Sequence, residues 1–228
     1  MNKKALLPSA LKAVFFDMDG VLYDSMPLHE RAWQGAFAAE NIDFPSVEAY
    51  RNEGRTGRGT INIVFRSILH RDADKTEIER IYARKSELMQ QQKPAPIMNG
   101  MLQLINKLRS SKIRTIVVTG SKQPSLIERL KRDYGFSRSD IISGADVKFG
   151  KPNPEPYLIA IQRVEFAQEN CCVVENAPLG IRSAKAAGLF TIAINTGKLP
   201  DCELLKENCD ILCNSTEVLQ DYFNSIMK

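Results

Sequence analysis

Short apolar or β-branched runs recur along the chain at "AVFFD", "IRTIVVTG", "DIISG", "CCVVEN", "FTIAINT" and "DILC". They do not alternate strictly between apolar and polar residues, which is what strands covered on both faces require. From the second run onward they are separated by segments with helical spacing, "GMLQLINKLRSSK", "QPSLIERLKRDYG", "PEPYLIAIQRV" and "APLGIRSAKAAG". Strands alternating with helices predict a doubly wound, mostly parallel α/β sheet of Rossmann-like type with helices on both faces.

One region breaks this rhythm. Residues 26–94 contain helix-like stretches, "PLHERAWQGAFAAEN", "TINIVFRSILHR" and "DKTEIERIYARKSELMQQQ", and no convincing strand. The hinge "KPAPIMNG" then leads back to the sheet. The expected organisation is therefore a core built from residues 1–25 and 95–228, with a helical domain, 26–94, inserted after the first strand. Between the first two insert helices, "RNEGRTGRGT" carries three glycines and three arginines and reads as a loop able to approach a ligand closely. No internal repeat or low-complexity segment is present.

Composition narrows the partners. The 31 basic and 27 acidic residues leave +4, without any Lys/Arg block of five or more. That is too mild to imply nucleic acid, yet it suits a small anionic substrate. No run of about 18 apolar residues predicts a membrane span, and "MNKKALLPSALKAVFF" lacks a signal peptide's long apolar region and cleavage site, so a cytoplasmic location is expected. A monomer is expected as well. The five cysteines crowd the last quarter; Cys171 and Cys172 read as reduced, packed thiols, and the spacing of Cys202, Cys209 and Cys213 fits no common zinc pattern.

Ligands of open α/β sheets bind beyond the carboxyl ends of the strands. In "FFDMDG" the carboxylates of Asp17 and Asp19, two residues apart on extended chain, can point into one site, where a cation or shared proton must offset their repulsion. Gly20 permits the turn that follows; a pair of turn and cap aspartates is the competing reading. In "VVTGSK" the Thr119 hydroxyl, the backbone N–H groups of Gly120 and Ser121, and Lys122 at a helix start form an anion cradle, unless Thr119 is only a cap. In "KFGKPNPEP" the prolines fix the loop that aims Lys151 at a phosphate or carboxylate, the plain alternative being a lysine in an ordinary turn. In "CCVVENAPLG" Glu175 and Asn176 offer hard oxygen ligands suited to Mg²⁺, and Asn176 can cap the following helix at the same time.

Taken in order, "DMDGV", "VVTGS", "GKPNPEP" and "VVENAPLG" resemble the four motifs of the haloacid-dehalogenase-like hydrolases, and the helical insert matches that superfamily's C1 type of cap. Within it the chain is similar to the β-phosphoglucomutase subfamily, and "NEGRTGRGTINIV" resembles a branch that includes inorganic pyrophosphatases. The resemblance implies that Asp17 attacks phosphorus to give an aspartyl-phosphate. Asp19 would protonate the leaving oxygen and then activate water, while Thr119 and Lys151 hold the transferring group. Mg²⁺ would be bound by Asp17, the backbone carbonyl of Asp19 and the fourth motif, where Asn176 stands in place of a second acid.

The insert would choose the substrate. His29 follows Asp17 by twelve residues, where the mutase resemblance implies a substrate-sensing histidine; a half-buried helix histidine is the alternative. "RNEGRTGRG" offers Glu53, Arg55 and Arg58, and "ARKSE" offers Arg84 and Lys85. β-Phosphoglucomutases place a lysine near position 53. A carboxylate there would repel a second sugar phosphate, so Glu53 favours a small substrate such as pyrophosphate, unless it turns outward to pair with Arg51 or Arg55. The leading expectation is a Mg²⁺-dependent phosphohydrolase acting on pyrophosphate or a small phosphate ester. The alternatives are β-phosphoglucomutase on the same scaffold and, from another class, a non-catalytic phosphate-binding regulator. A haloacid dehalogenase would need neither Mg²⁺ nor Asp19, and "DMDG" with Glu175 counts against it.

Overall fold

The computed structural model describes residues 11–227; residues 1–10 and 228, at the two ends of the expected core, lie outside the described residues. Six strands, β1 (Ala13–Phe16), β2 (Arg114–Val118), β3 (Ile141–Ile142), β4 (Cys171–Glu175), β5 (Phe190–Ile194) and β6 (Ile211–Cys213), form one parallel sheet in the order β3-β2-β1-β4-β5-β6. Each predicted apolar run supplies one of them. "DIISG" supplies only two residues, because a 3-10 turn ends at Asp140 and the Ser143 N–H and hydroxyl both donate to Asp146 Oδ2, turning the chain away. The winding reverses beside β1, where Phe16 lies opposite both Val117 and Val174. That reversal is where sheets of this kind bind ligands.

Between β1 and β2 the chain forms α1 (Met26–Ala38), α2 (Ser46–Arg51), α3 (Gly57–Leu69) and α4 (Lys75–Gln90), then returns to the sheet through α5 (Met101–Ser110). The remaining helices are α6 (Pro124–Tyr134), α7 (Glu155–Val164), α8 (Pro178–Ala186), α9 (Asp201–Leu205) and α10 (Thr216–Ile226). The stretch "RNEGRTGRGT" is less of a loop than its glycines suggest. Arg51 ends α2, and the Thr56 hydroxyl caps α3 by accepting from the Gly59 N–H at 3.2 Å, so only Asn52–Thr56 is irregular. Among the described residues no helix is long and apolar enough to cross a membrane.

Alternate residues of a strand face opposite sides. Val14, Phe16, Val117, Cys172 and Val174 pack under Leu104 and Leu108 of α5, Leu130 and Tyr134 of α6, and Leu219 and Phe223 of α10. Ala13, Phe15, Ile116, Val118 and Val173 pack under Tyr157 and Ala160 of α7 and Ala184 of α8. Burial of both faces removes any reason for polar residues to alternate along these strands.

The insert has its own apolar cluster, in which Trp33 and Phe44 both stack on Phe37, with ring centroids 5.6 and 5.0 Å away, beside Phe65 of α3 and Ile81 of α4. The same cluster continues into Ile181, Ala193, Leu199 and Leu204, which seats the insert on the carboxyl end of the sheet. Two ion pairs cross this seam, Arg51 to Glu203 at 2.6 Å and Lys198 to Glu30 at 2.8 Å. The loop Asn52–Thr56 is thereby held over the ends of β1 and β4.

Candidate active site

The backbone at the end of β1 places Asp17, whose N–H donates to the Val174 carbonyl at 3.0 Å, level with the last residue of β4. Its side chain is buried. Lys151 arrives from the loop after β3 and is only 4% exposed. Its ammonium lies 2.5 Å from Asp17 Oδ1 and 2.6 Å from Glu175 Oε1, and donates to the Val118 carbonyl at 3.1 Å. The Tyr157 hydroxyl donates to Glu175 Oε1 at 2.5 Å. A solvent lysine in an ordinary turn would show none of this.

Glu53, at the tip of the insert loop, faces the same spot. Single carboxylate oxygens of Asp17, Glu53 and Glu175 lie within 4.8 Å of one another. It is not neutralised from its own loop: Arg51 pairs with Glu48 and Glu203, and Arg55 donates to Asn52 Oδ1 at 3.1 Å. The outward-turned alternative therefore does not hold. Asp17 Oδ2, Glu53 Oε2, Glu175 Oε2 and Asn176 Oδ1 are all buried without a hydrogen-bond partner. Buried oxygens in native proteins are almost always satisfied, so four orphans at one site call for a missing partner. Three carboxylates against one ammonium also leave two negative charges, the deficit a divalent cation would close. Hard oxygen donors, some from carboxylates and one from an amide, suit Mg²⁺.

Electrostatics agree with that count. Burial, opposed by Lys151 and reinforced by Glu175, pushes Asp17 up to about 7. Burial and then the Asp17 charge raise Glu53 well above its ordinary value. Burial alone would depress Lys151, but the Asp17 and Glu175 carboxylates outweigh it and hold the ammonium well above the usual lysine range. Two glycines shape the cradle. Gly20 has φ +79°, and a Cβ there would lie 2.0 Å from Asn176 Nδ2; a Cβ at Gly180 would lie 2.1 Å from the Glu175 carboxyl.

Asp19 belongs to a second, separate group. Its Oδ1 accepts from the Ser25 hydroxyl at 2.6 Å and lies 3.4 Å from His29 Nε2; His29 Nδ1 is 3.2 Å from Lys85 Nζ. Burial would raise the Asp19 carboxyl, yet His29, Ser25 and Lys85 together lower it to about 2. Lys85, over the Trp33 ring, is depressed by burial to about 8.

Thr119 is buried at the end of β2, where its hydroxyl accepts from the Ser121 N–H at 3.1 Å, and Gly120 lies beside the Gly54 carbonyl. Lys122 departs from expectation. It is exposed and does not start a helix, because Gln123 is the cap and Pro124 takes the first turn of α6. Arg55 lies in a cavity of about 460 Å³ between the insert and α8, shared with Arg51 and Arg182. Arg58 is exposed, and Arg84 pairs with Glu87 at 2.7 Å. Ser25 and Tyr157 were not anticipated. Ser25 precedes a helix and has the signature of a cap, but it makes no cap hydrogen bond because its hydroxyl goes to Asp19. Tyr157 sits in an apolar helical stripe with nothing in the sequence to mark its hydroxyl.

The family model for haloacid dehalogenase-like hydrolases matches residues 11–188. Hexitol phosphatase A of Escherichia coli is 31% identical over 187 residues, 81% of this chain and 83% of that protein. Beta-phosphoglucomutase of Bacillus subtilis is 27% identical over 200 residues, 82% of this chain and 85% of that protein. A solved structure from Bacteroides vulgatus, provisionally assigned as a beta-phosphoglucomutase, superimposes with a TM-score of 0.88 at 42% identity, covering 96% of this chain and 90% of that one.

Proposed function

Since the chain belongs to the haloacid dehalogenase-like hydrolases and is an enzyme of their phosphatase or phosphoglucomutase kind, we propose that it is a Mg²⁺-dependent phosphohydrolase that works through an aspartyl-phosphate on Asp17. Its substrate is pyrophosphate or a small phosphate ester. Residues 26–94 act as the cap that selects it. Asp17 Oδ2, free of hydrogen bonds, attacks phosphorus while Lys151 neutralises Oδ1. Asp19 carries the proton: ionised while Ser25 and His29 hold it, it takes a proton from the hydrolytic water, and it must leave those partners to give one to the leaving oxygen. Thr119, the Gly120 amide and Lys151 hold the transferring phosphoryl group, and the Ser121 amide fixes the Thr119 hydroxyl.

Asp17, the Asp19 backbone carbonyl, Glu175 and Asn176 would hold the metal, with Glu53 facing it. The ion would neutralise charge on the phosphoryl oxygens, the main requirement of this chemistry. Excluding bulk water strengthens each of these interactions.

The observation that carries the small-substrate reading is the inward Glu53 carboxylate, unpaired by Arg51 or Arg55 and within 4.8 Å of the Asp17 and Glu175 oxygens. Its charge repels a second phosphate. The test is a Mg²⁺-supported hydrolysis panel of pyrophosphate, hexose phosphates, hexitol phosphates and nucleotides. Pyrophosphate or a compact ester should lead by at least tenfold in kcat/KM; a hexose phosphate in that place would overturn the substrate reading. A mutase reading draws on the Bacteroides and Bacillus relatives and on the Lys85–His29–Asp19 chain. It requires glucose 6-phosphate to form from β-glucose 1-phosphate and trace bisphosphate faster than free phosphate appears.

A further inference from the structure

Glu175 is boxed in on every side but one. Its Oε1 accepts a hydrogen bond from the Tyr157 hydroxyl at 2.5 Å and forms an ion pair with the Lys151 ammonium at 2.6 Å. Gly180 lies against the carboxyl so closely that a single added carbon would sit 2.1 Å away. Oε2, by contrast, is buried and has no hydrogen-bond partner. Tyr157 itself is 0% exposed, with its ring wedged among Phe15, Ala160 and Val173 in the core beneath the sheet. A rigid ring held that way cannot follow a carboxylate that turns.

From this arrangement we propose that Tyr157 is a positioning residue that denies Glu175 two-oxygen chelation of a cation, and so biases the acidic cluster toward Mg²⁺ over Ca²⁺. Chelation would require Oε1 to give up the Tyr157 hydroxyl and its contact with the Lys151 ammonium, leaving the phenol without a partner. Mg²⁺ asks for near-octahedral coordination and takes one oxygen per carboxylate, directly or through a retained water. Ca²⁺ takes six to eight oxygens and often two from one carboxylate. Pinning one oxygen costs Mg²⁺ nothing and removes a ligand atom from Ca²⁺. The inference rests on the metal-dependent reading of the site and adds what sets its ion preference.

The test uses the full chain, stripped of metal and titrated calorimetrically with MgCl₂ and with CaCl₂, as wild type and as Tyr157→Phe. The substitution keeps the ring and its packing and removes the hydroxyl alone. Loss of an outer-shell partner commonly weakens a metal by about 10- to 100-fold. The ratio of the Ca²⁺ Kd to the Mg²⁺ Kd should therefore fall by about tenfold in the variant, through tighter Ca²⁺, weaker Mg²⁺ or both. Parallel loss for both ions, or no change in either, overturns the role. Independently of that variant, infrared difference spectra of the wild type, referenced to Glu175→Gln, should show no chelating Glu175 carboxylate band with either ion; such a band with Ca²⁺ refutes the inference. A wild type that does not bind Mg²⁺ sinks the functional reading along with it, whereas a Mg²⁺-selective wild type with an unaltered Tyr157→Phe variant sinks only the role of Tyr157.

Discussion

Replacing Glu53 by glutamine should make the metal-free protein more stable and shrink the stabilisation that metal adds. Two like charges 4.8 Å apart, the outer limit of the Asp17, Glu53 and Glu175 cluster, repel by roughly 3.5 kcal/mol at an effective dielectric of about 20. Glu53 meets two such charges and one compensating ammonium, which leaves about one such repulsion uncompensated. Avoiding it by protonation costs about the same, because holding a carboxyl of ordinary value 4.5 neutral at pH 7.5 takes roughly 4 kcal/mol at 1.36 kcal/mol per unit. Some of that is relieved by local movement of the Glu53 side chain, so Glu53→Gln should gain about 1 to 3 kcal/mol without metal. For a chain of this length that is a rise of roughly 3 to 8 °C in Tm. With Mg²⁺ much of that gain is offset, because a tenfold weaker ion forfeits about 1.4 kcal/mol of ligand-induced stabilisation at saturating concentration. Melting curves in EDTA and over a MgCl₂ series at pH 7.5 measure both arms. A variant that melts lower than wild type in EDTA and keeps the full Mg²⁺-induced rise would refute the placement of Glu53 in the cation site.

The pH dependence of the metal-free form follows from the same cluster. Asp17 is raised in the folded protein from 3.8 to about 7, so its contribution to stability is present at low pH and is lost as pH climbs through 7. Asp19, lowered to about 2, contributes above about pH 4 and loses that contribution as the pH falls toward 2. Tm in EDTA should therefore peak near pH 4 and drop by pH 8, and saturating Mg²⁺ should flatten the upper side; a Tm that rises from pH 5 to 8 in EDTA contradicts this account. Asp17→Asn should reduce turnover by at least about 10³-fold while keeping the circular dichroism spectrum, and substantial residual hydrolysis would remove Asp17 from the nucleophile role. Gly180→Ala should lower Tm and weaken Mg²⁺ binding, although alanine favours a helix by about 1 kcal/mol. A stabilised variant with intact Mg²⁺ affinity would mean that Glu175 does not need that bare α-carbon.

The sheet was readable because its strands are buried on both faces and so spell uninterrupted apolar runs, each ending at a polar residue. Asp17, Thr119 and Glu175 stood out because they end such runs, and Lys151 because glycine and proline bracket it. The insert was readable as helices but not in detail. Helix α2 is too short to show a period, and the glycines at 57 and 59 hid a helix start that the Thr56 cap supplies. Ser25 and Tyr157 were opaque for another reason. Both carry the expected residue type for their element, a cap serine and a stripe aromatic, and only the third dimension shows that their hydroxyls reach Asp19 and Glu175. Lys122 misled because a lysine after a glycine turn looks like a helix-start ligand until Pro124 moves the helix onward.

The cation-facing oxygens do not all belong to one body of the protein. Asp17 and Glu175 end strands, while Glu53 is carried in on a loop of the insert, held down by Arg51 on Glu203 and by Lys198 on Glu30. An ion that engages all three is bound across a joint. By linkage, the factor by which docking of the insert tightens that ion is also the factor by which the ion tightens docking. Salt that screens the two half-exposed pairs at the joint, or a substitution at Glu203, which lies on the opposite side of it from the Glu53 loop, should then register as a change in metal affinity. The affinity of such a centre would be set partly by ion pairs that do not themselves reach the ion.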